Sequence, residues 1–291
     1  MRDAIRCLRR TSKSVSTAGP MRERLPMSRF IDDNRAAWNA AAQKYVDETA
    51  EILEQARQGV TLAAPEVELL RPVLETNPFV VHFQSGFGLD DLDLSRLGAR
   101  GVVGLDFSSV QATAASERAR AMEAPVSYAV AVVPESPLRS GCADLVYTGK
   151  GALMWLDDIA AWAIEVARLL KPCGALFVYE AHPATALWAR DGERAALAEG
   201  VSYFGGTRVN DTFPGQAVER FAPEQGLRAT EQQWTLGEIV NAVIAADMTI
   251  TDLREYPDPF WKPVDSQGSP IWDGNLPNAF SMMATRNPIT P

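Results

Sequence analysis

Between Arg35 and Ala56 the apolar residues Ala37, Trp38, Ala41, Tyr45, Val46, Ala50 and Leu53 recur at helical spacing with acids between them, which predicts one or two amphipathic helices ahead of the core. The pattern then changes. A short β-type run, Phe79 to Phe83, leads into Gln84-Ser85-Gly86-Phe87-Gly88, and Leu89, Leu92 and Leu97 resume helical spacing. A second strand is predicted over Gly101 to Asp106, followed by a helix that Ser108 can cap and that runs to about Met122. Val126 to Val133, Ala143 to Thr148 and Ala175 to Glu180 read as further strands, the last two separated by a helix from about Ile159 to Leu170. Strands alternating with helices of this length predict βαβ units: an α/β fold, a mostly parallel sheet with helices on both faces.

After Pro183 the alternation stops for about fifty residues. Ala184 to Gln233, with Trp188, Tyr203, Phe204, Phe213 and Phe221 among glycines and charges, reads as an insertion outside the sheet. Regularity returns with the apolar stripe Leu236, Ile239, Val240, Val243 and Ile244, a strand-like Met248 to Leu253, a loop rich in Pro and Trp that includes Trp261 and Trp272, and a last apolar run, Ala279 to Ala284.

Composition narrows the function. With 46% hydrophobic and 22% charged residues in 291, the chain can bury a large core and is not globally disordered. A formal charge of −9 disfavours a broad nucleic-acid partner. Three dispersed cysteines and two histidines build neither a disulfide framework nor a zinc cage, and no apolar run reaches membrane-spanning length. We therefore expect a cytoplasmic protein with no metal and no membrane partner. Residues 1–27 differ from the rest: seven basic residues face two acidic ones, a composition that suits an organelle transit peptide or, more simply, a disordered leader or an early start with Met21 or Met27 as the true beginning.

A glycine turn between a parallel strand and the next helix is expected to present free backbone N–H groups to a ligand, commonly a nucleotide. Asp106, at the end of the second strand, stands where an acid can hold ribose hydroxyls. A dinucleotide fingerprint would need a third glycine, but Leu89, Asp90 and Asp91 follow Gly88. A serine hydrolase elbow is disfavoured because Phe83 occupies its first glycine position before Gln84 and Ser85.

Four segments together resemble the class I S-adenosylmethionine-dependent methyltransferase superfamily: VVHFQSGFGLD at Val80–Asp90, GVVGLDFS at Gly101–Ser108, DLVYTGKGALMWLDD at Asp144–Asp158, and ARLLKPCGALFVYEAHP at Ala167–Pro183. The third and fourth, and WTLGEIVNAVIAADM at Trp234–Met248, resemble a bacterial subgroup acting on small molecules. The resemblance implies a Rossmann-like seven-stranded sheet ending in an antiparallel hairpin, with a small cap. It divides the chain into the leader, a helical cap over 28–75, a cofactor-binding core over 76–183, a cap insertion over 184–234 and completion of the core over 235–291. S-adenosyl-L-methionine is the implied cofactor. Gly86 and Gly88 would pass its methionyl part and Asp106 its ribose, with Gln84, Phe107, Val132 and Val133 completing the site. Three positions depart from the family's pattern: His82 replaces an acid on the first strand, Gln84 replaces the first glycine, and Val132 replaces an aspartate near the adenine.

The implied reaction is O- or N-methylation of a small-molecule acceptor, by a chain that could form a homodimer. Holding two reactants in line can supply roughly 7 to 11 kcal/mol, so a strong base is optional. His182, at the end of the fifth strand, is the candidate base, or else a holder of the loop that opens the insertion. Glu180 carries the same two readings with the structural one favoured, and His82 is expected to be a satisfied buried residue rather than a base. Tyr147, Lys150, Met154 and Trp155 follow the fourth strand and are candidate substrate residues. Two competing readings keep the fold: a protein that binds the cofactor without methyl transfer, and a non-catalytic partner subunit.

Overall fold

The computed structural model describes residues 27–59, 61–191, 194–197, 201–210, 227–260 and 274–288. The leader before Met27, together with Phe213, Phe221, Trp261 and Trp272, lies outside the described residues. The predicted N-terminal helices are α1 (Met27–Asp47) and α2 (Thr49–Gln58). A third, α3 (Ala64–Leu74), was not legible from periodicity, because Pro65 and Pro72 punctuate it. Pro65 is tolerated in the first turn, where its missing N–H has no helical acceptor to lose.

The core then alternates as predicted: β1 (Phe79–Phe83), α4 (Leu89–Arg96), β2 (Gly101–Asp106), α5 (Ser109–Ala121), β3 (Val126–Val130), β4 (Ala143–Gly149), α6 (Ile159–Leu169) and β5 (Leu170–Ala181). Side-chain caps set the helix starts. The Ser108 hydroxyl accepts from the Gln111 N–H, and the Asp158 carboxylate accepts from the N–H groups of Ala160 and Ala161. β3 is shorter than the predicted Val126–Val133, since the chain turns where Val132 bridges Glu135. β5 is longer than predicted, starting directly at the end of α6 and passing a register shift against β4.

The insertion holds two small hairpins, β6 (Trp188–Asp191) with β7 (Arg194–Leu197), and β8 (Gly206–Asn210) with β9 (Ala229–Gln233), both outside the main sheet. α7 (Leu236–Ala245), β10 (Met248–Tyr256) and β11 (Ala279–Arg286) complete the core. The seven-stranded sheet has the order β10-β11-β5-β4-β1-β2-β3. β1 pairs in parallel with both β2 and β4, β5 runs parallel to β4, and β10 and β11 form the antiparallel hairpin against β5.

Alternation along the strands splits the core into two layers. Val81, Phe83, Val146, Phe280 and Met282 pack beneath Trp162, Val166, Ile239 and Val243 of α6 and α7. On the other face Val80, Val102, Leu145, Tyr147 and Phe177 meet Leu70 and Leu74 of α3 and Leu94 of α4. Because the chain runs outward from β1 to β2 and β3 and then crosses back to β4 on the other side of β1, a crevice opens at the carboxyl ends of β1 and β4, where ligands bind in open α/β sheets.

Candidate functional site

A cavity of about 560 Å³ occupies that crevice, a size in the usual range for small-molecule sites. The β1–α4 turn forms its floor. Gln84, Gly86 and Gly88 all adopt left-handed backbone, with φ of 56°, 56° and 83°. Gly88 is further required because a Cβ there would come within 2.2 Å of the Tyr128 hydroxyl.

Two N–H groups of this turn are used within the protein. Gly86 donates to Asp106 Oδ2 at 2.9 Å, and Gly88 donates to the Ser85 carbonyl at 3.2 Å. The turn and the start of α5 also offer side-chain atoms. Among the described residues Gln84 Oε1, Ser85 Oγ and Gln111 Oε1 are buried without a hydrogen-bond partner, and all three residues line the cavity. Buried polar atoms are normally satisfied, so three in one wall mark a place for a polar ligand.

Register puts Asp106 beside the turn, since Phe83 pairs with Leu105 and the next residues of both strands reach the edge together. Its two oxygens accept from Gly86 N–H and from Ser108 N–H at 2.8 Å. Burial pushes its carboxyl up to about 6, against the pull of those two N–H groups. Each carboxylate oxygen carries a second lone pair, so capacity remains for hydroxyl donors.

The rest of the cavity has an acidic end and an aromatic side. His82, Asp90 and Lys150 join Asp106 at the first, while Trp38, Tyr45, Phe87, Trp155 and Phe260 form the second. Lys150, expected to touch substrate, is instead tied within the wall. Its ammonium donates to Asp90 Oδ1 at 2.7 Å and to the Thr61 carbonyl at 2.8 Å, and lies 3.2 Å from Glu66 Oε2. Burial opposes its charge, but Asp90 and Glu66 outweigh that and hold its pKa above the ordinary lysine value. Glu66 also accepts from Ala63 N–H and the Tyr147 hydroxyl, and burial raises its pKa.

α1 closes the aromatic side. Trp38 meets Trp155 edge to face at 5.5 Å, and Tyr45 stacks on Phe87 at 4.4 Å. Arg118, only 1% exposed, fastens this contact: Nε and Nη2 donate to the Phe87 carbonyl and Nη1 to the Tyr45 carbonyl. Asn34 exchanges two hydrogen bonds with the Thr230 backbone, so α1 also meets β9 of the insertion. Sequence reasoning missed Glu66, Arg118 and Asn34, because each acts on a partner far along the chain.

Val132 and Val133 do not line the main cavity. With Phe30 and Ile31 they line a small adjoining one, and Gln84, Phe107 and Trp155 are shared by both walls. Three other expected site residues fall elsewhere. Tyr147 is fully buried in the core, because strand alternation turns it toward α3. Met154 and His182 line a separate cavity of about 90 Å³ near Gln233 and Trp234. Met154 diverges from Trp155 because neighbours in their tight helical turn, Leu153–Trp155, point in different directions. His182 Nδ1 accepts from Ala184 N–H at 3.1 Å, and Nε2 lies 2.9 Å from Glu255 Oε1. Burial lowers the His182 pKa, with Glu255 acting the other way. That geometry holds a loop rather than reaching the cavity. Glu180 accepts from the N–H groups of Gly151, Ala152 and Leu153, a structural clamp as expected.

Residues 81–178 match the family described as a methyltransferase domain. Over these residues the chain is similar to a methyltransferase domain, and its fold is that of S-adenosylmethionine-dependent methyltransferases of known structure. Among solved structures of similar fold is an S-adenosylmethionine-dependent methyltransferase from Mesorhizobium loti, 21% identical, covering 74% of this chain and 96% of its own with a TM-score of 0.52. Another is the [4+2]-cyclase SpnF, 15% identical, covering 86% and 96% with a TM-score of 0.52. No curated protein matches the sequence. The cavity fits this superfamily's cofactor: left-handed glycines, the unpartnered polar atoms of Gln84, Ser85 and Gln111, and a buried ribose-type acid meet in one wall. Among the described residues no His, Cys, Asp and Glu cluster could hold a metal ion, and no helix is long and apolar enough to cross a membrane.

Proposed function

We propose that this methyltransferase methylates a small-molecule acceptor on oxygen or nitrogen, bound beside S-adenosylmethionine in the cavity under α1. The observation that carries the reading is the continuity of one 560 Å³ space, from the acid-lined glycine turn to the aromatic side formed by Trp38, Trp155 and Phe260. Such a surface suits an aromatic or apolar acceptor. Asp106 holds the ribose, and Phe107, Val132 and Val133 border the base. Trp38 and Trp155 exclude water and orient the acceptor, so catalysis rests mainly on alignment. When bound, the cofactor supplies an electrophilic methyl group.

The test incubates the protein with S-adenosylmethionine and a panel of phenols, amines and carboxylates, with mass detection of methylated product. Product from a phenol or amine is expected. A second reading, binding without methyl transfer, is favoured by His182 lying outside the cavity and by the likeness to a [4+2]-cyclase fold. Tight cofactor binding with no methylated product across the panel would select it.

A further inference from the structure

His82 is 3% exposed, lines the main cavity, and stands two residues before the glycine turn begins to bend. Its Nδ1 lies 2.7 Å from Oδ1 of Asp91, which is completely buried in the first turn of α4. Tyr147 meets the imidazole edge to face at 4.6 Å and fixes its plane. A carboxylate on Nδ1 selects the tautomer that carries its proton there, so Nε2 becomes an acceptor. Among the described residues none hydrogen-bonds to Nε2. The pair is therefore an acceptor lodged in the cavity wall with the buried Asp91 carboxyl behind it, burial raising that carboxyl's pKa and His82 lowering it.

Its surroundings decide which ligand it takes. Asp90 and Asp106 share the cavity with it, Asp91 stands behind it, and Glu66 lies beyond Lys150. The one ammonium in this group, Lys150, has three oxygen partners in Thr61, Asp90 and Glu66. Such a region attracts a cation. Resting on the cofactor reading above, we propose that the His82–Asp91 pair receives the α-ammonium of the cofactor's methionyl group, the ammonium N–H donating to Nε2. His82 would then be a binding residue and Asp91 a positioning residue that fixes its tautomer.

Calorimetry with two ligands tests this: S-adenosylhomocysteine, which has the ammonium, and 5′-methylthioadenosine, which keeps the nucleoside thioether and lacks the amino acid. His82→Phe, which keeps a ring against Tyr147, is expected to weaken S-adenosylhomocysteine by about 10- to 100-fold, as for a lost charge-assisted hydrogen bond. Affinity for 5′-methylthioadenosine should stay within about twofold on the same scale. Asp91→Asn keeps the shape and should give the same ligand selectivity with a smaller loss. The desamino analogue of S-adenosylhomocysteine should bind wild type and His82→Phe alike. Unchanged S-adenosylhomocysteine affinity in both variants would overturn the assignment, and so would equal weakening of both ligands. If wild type bound neither ligand, the cofactor reading itself would fall. Methylthioadenosine binding with no product in any acceptor assay would instead leave this inference intact and remove only methyl transfer.

Discussion

Asp106 and Glu180 end two strands of the same sheet, both are almost completely buried, and both carboxyls are raised by desolvation, to about 6 and about 7. They differ in what surrounds them. Glu180 gathers three consecutive backbone N–H groups and shapes the Gly151–Leu153 loop. Asp106 takes two and lines the main cavity. A buried acid filled by main chain is part of the scaffold, whereas one with lone pairs left over in a cavity wall can serve a ligand.

The largest effect should separate them by stability. Glu180→Ala leaves three donors, two of them buried, without their acceptor, and an expected loss of about 3 to 5 kcal/mol should appear in urea unfolding. A loss below about 1 kcal/mol would mean that water replaces the carboxylate and that the comparison is misplaced. Next in size is Asp106→Ala, expected to weaken S-adenosylmethionine by about 10- to 100-fold in calorimetry. Equal affinity in the two proteins would remove Asp106 from the site.

pH sharpens the same contrast. A carboxyl raised from 3.8 to about 6 adds stability in full below pH 4 that is lost as pH rises through 6, so Asp106 makes the free protein less stable over that interval. Cofactor affinity should run the other way, because ribose hydroxyls donate to the ionised form. Lowering pH from about 7.5 to about 5 should weaken binding roughly tenfold in wild type and leave Asp106→Asn flat. A parallel slope in both proteins would assign the titration elsewhere.

His182→Ala, on the Glu180 side, should change kcat less than about threefold and stability by about 1 kcal/mol, since its partner Glu255 is 54% exposed. A fall in kcat of about 100-fold with cofactor affinity unchanged would restore His182 as the base. The smallest effect belongs to Val132→Asp. If the adenine amino group lies in reach of the small cavity by Phe30 and Ile31, affinity should rise by about 2- to 10-fold. Weaker binding with an intact circular dichroism spectrum would mark that wall as built apolar.

The alternation of apolar runs and glycine turns made the parallel sheet and the place of the insertion legible along the chain, and the family resemblance supplied the terminal hairpin. Asp106 was legible too, because strand end and glycine turn are local features joined by one parallel pairing. The region after β4 was not. Tyr147, Lys150, Met154 and Trp155 are neighbours in sequence, yet one enters the core, one is tied to acids of α3 and α4, one lines a side cavity and one faces the main site. Where a strand gives way to a short tight turn, side-chain direction follows local dihedrals that composition does not encode.

The sequence by itself therefore determined the order of elements, the position of the glycine turn and the acid beside it, since hydrophobic period and turn chemistry act over a few residues. Only the tertiary structure decided which polar groups are already satisfied. It used the Gly86 N–H on Asp106, tied Lys150 to Glu66 and Asp90, turned His182 toward Glu255, and set Asp91 behind His82. A group's chemistry depends on the lone pairs and protons left after folding, and most of these partners come from another element.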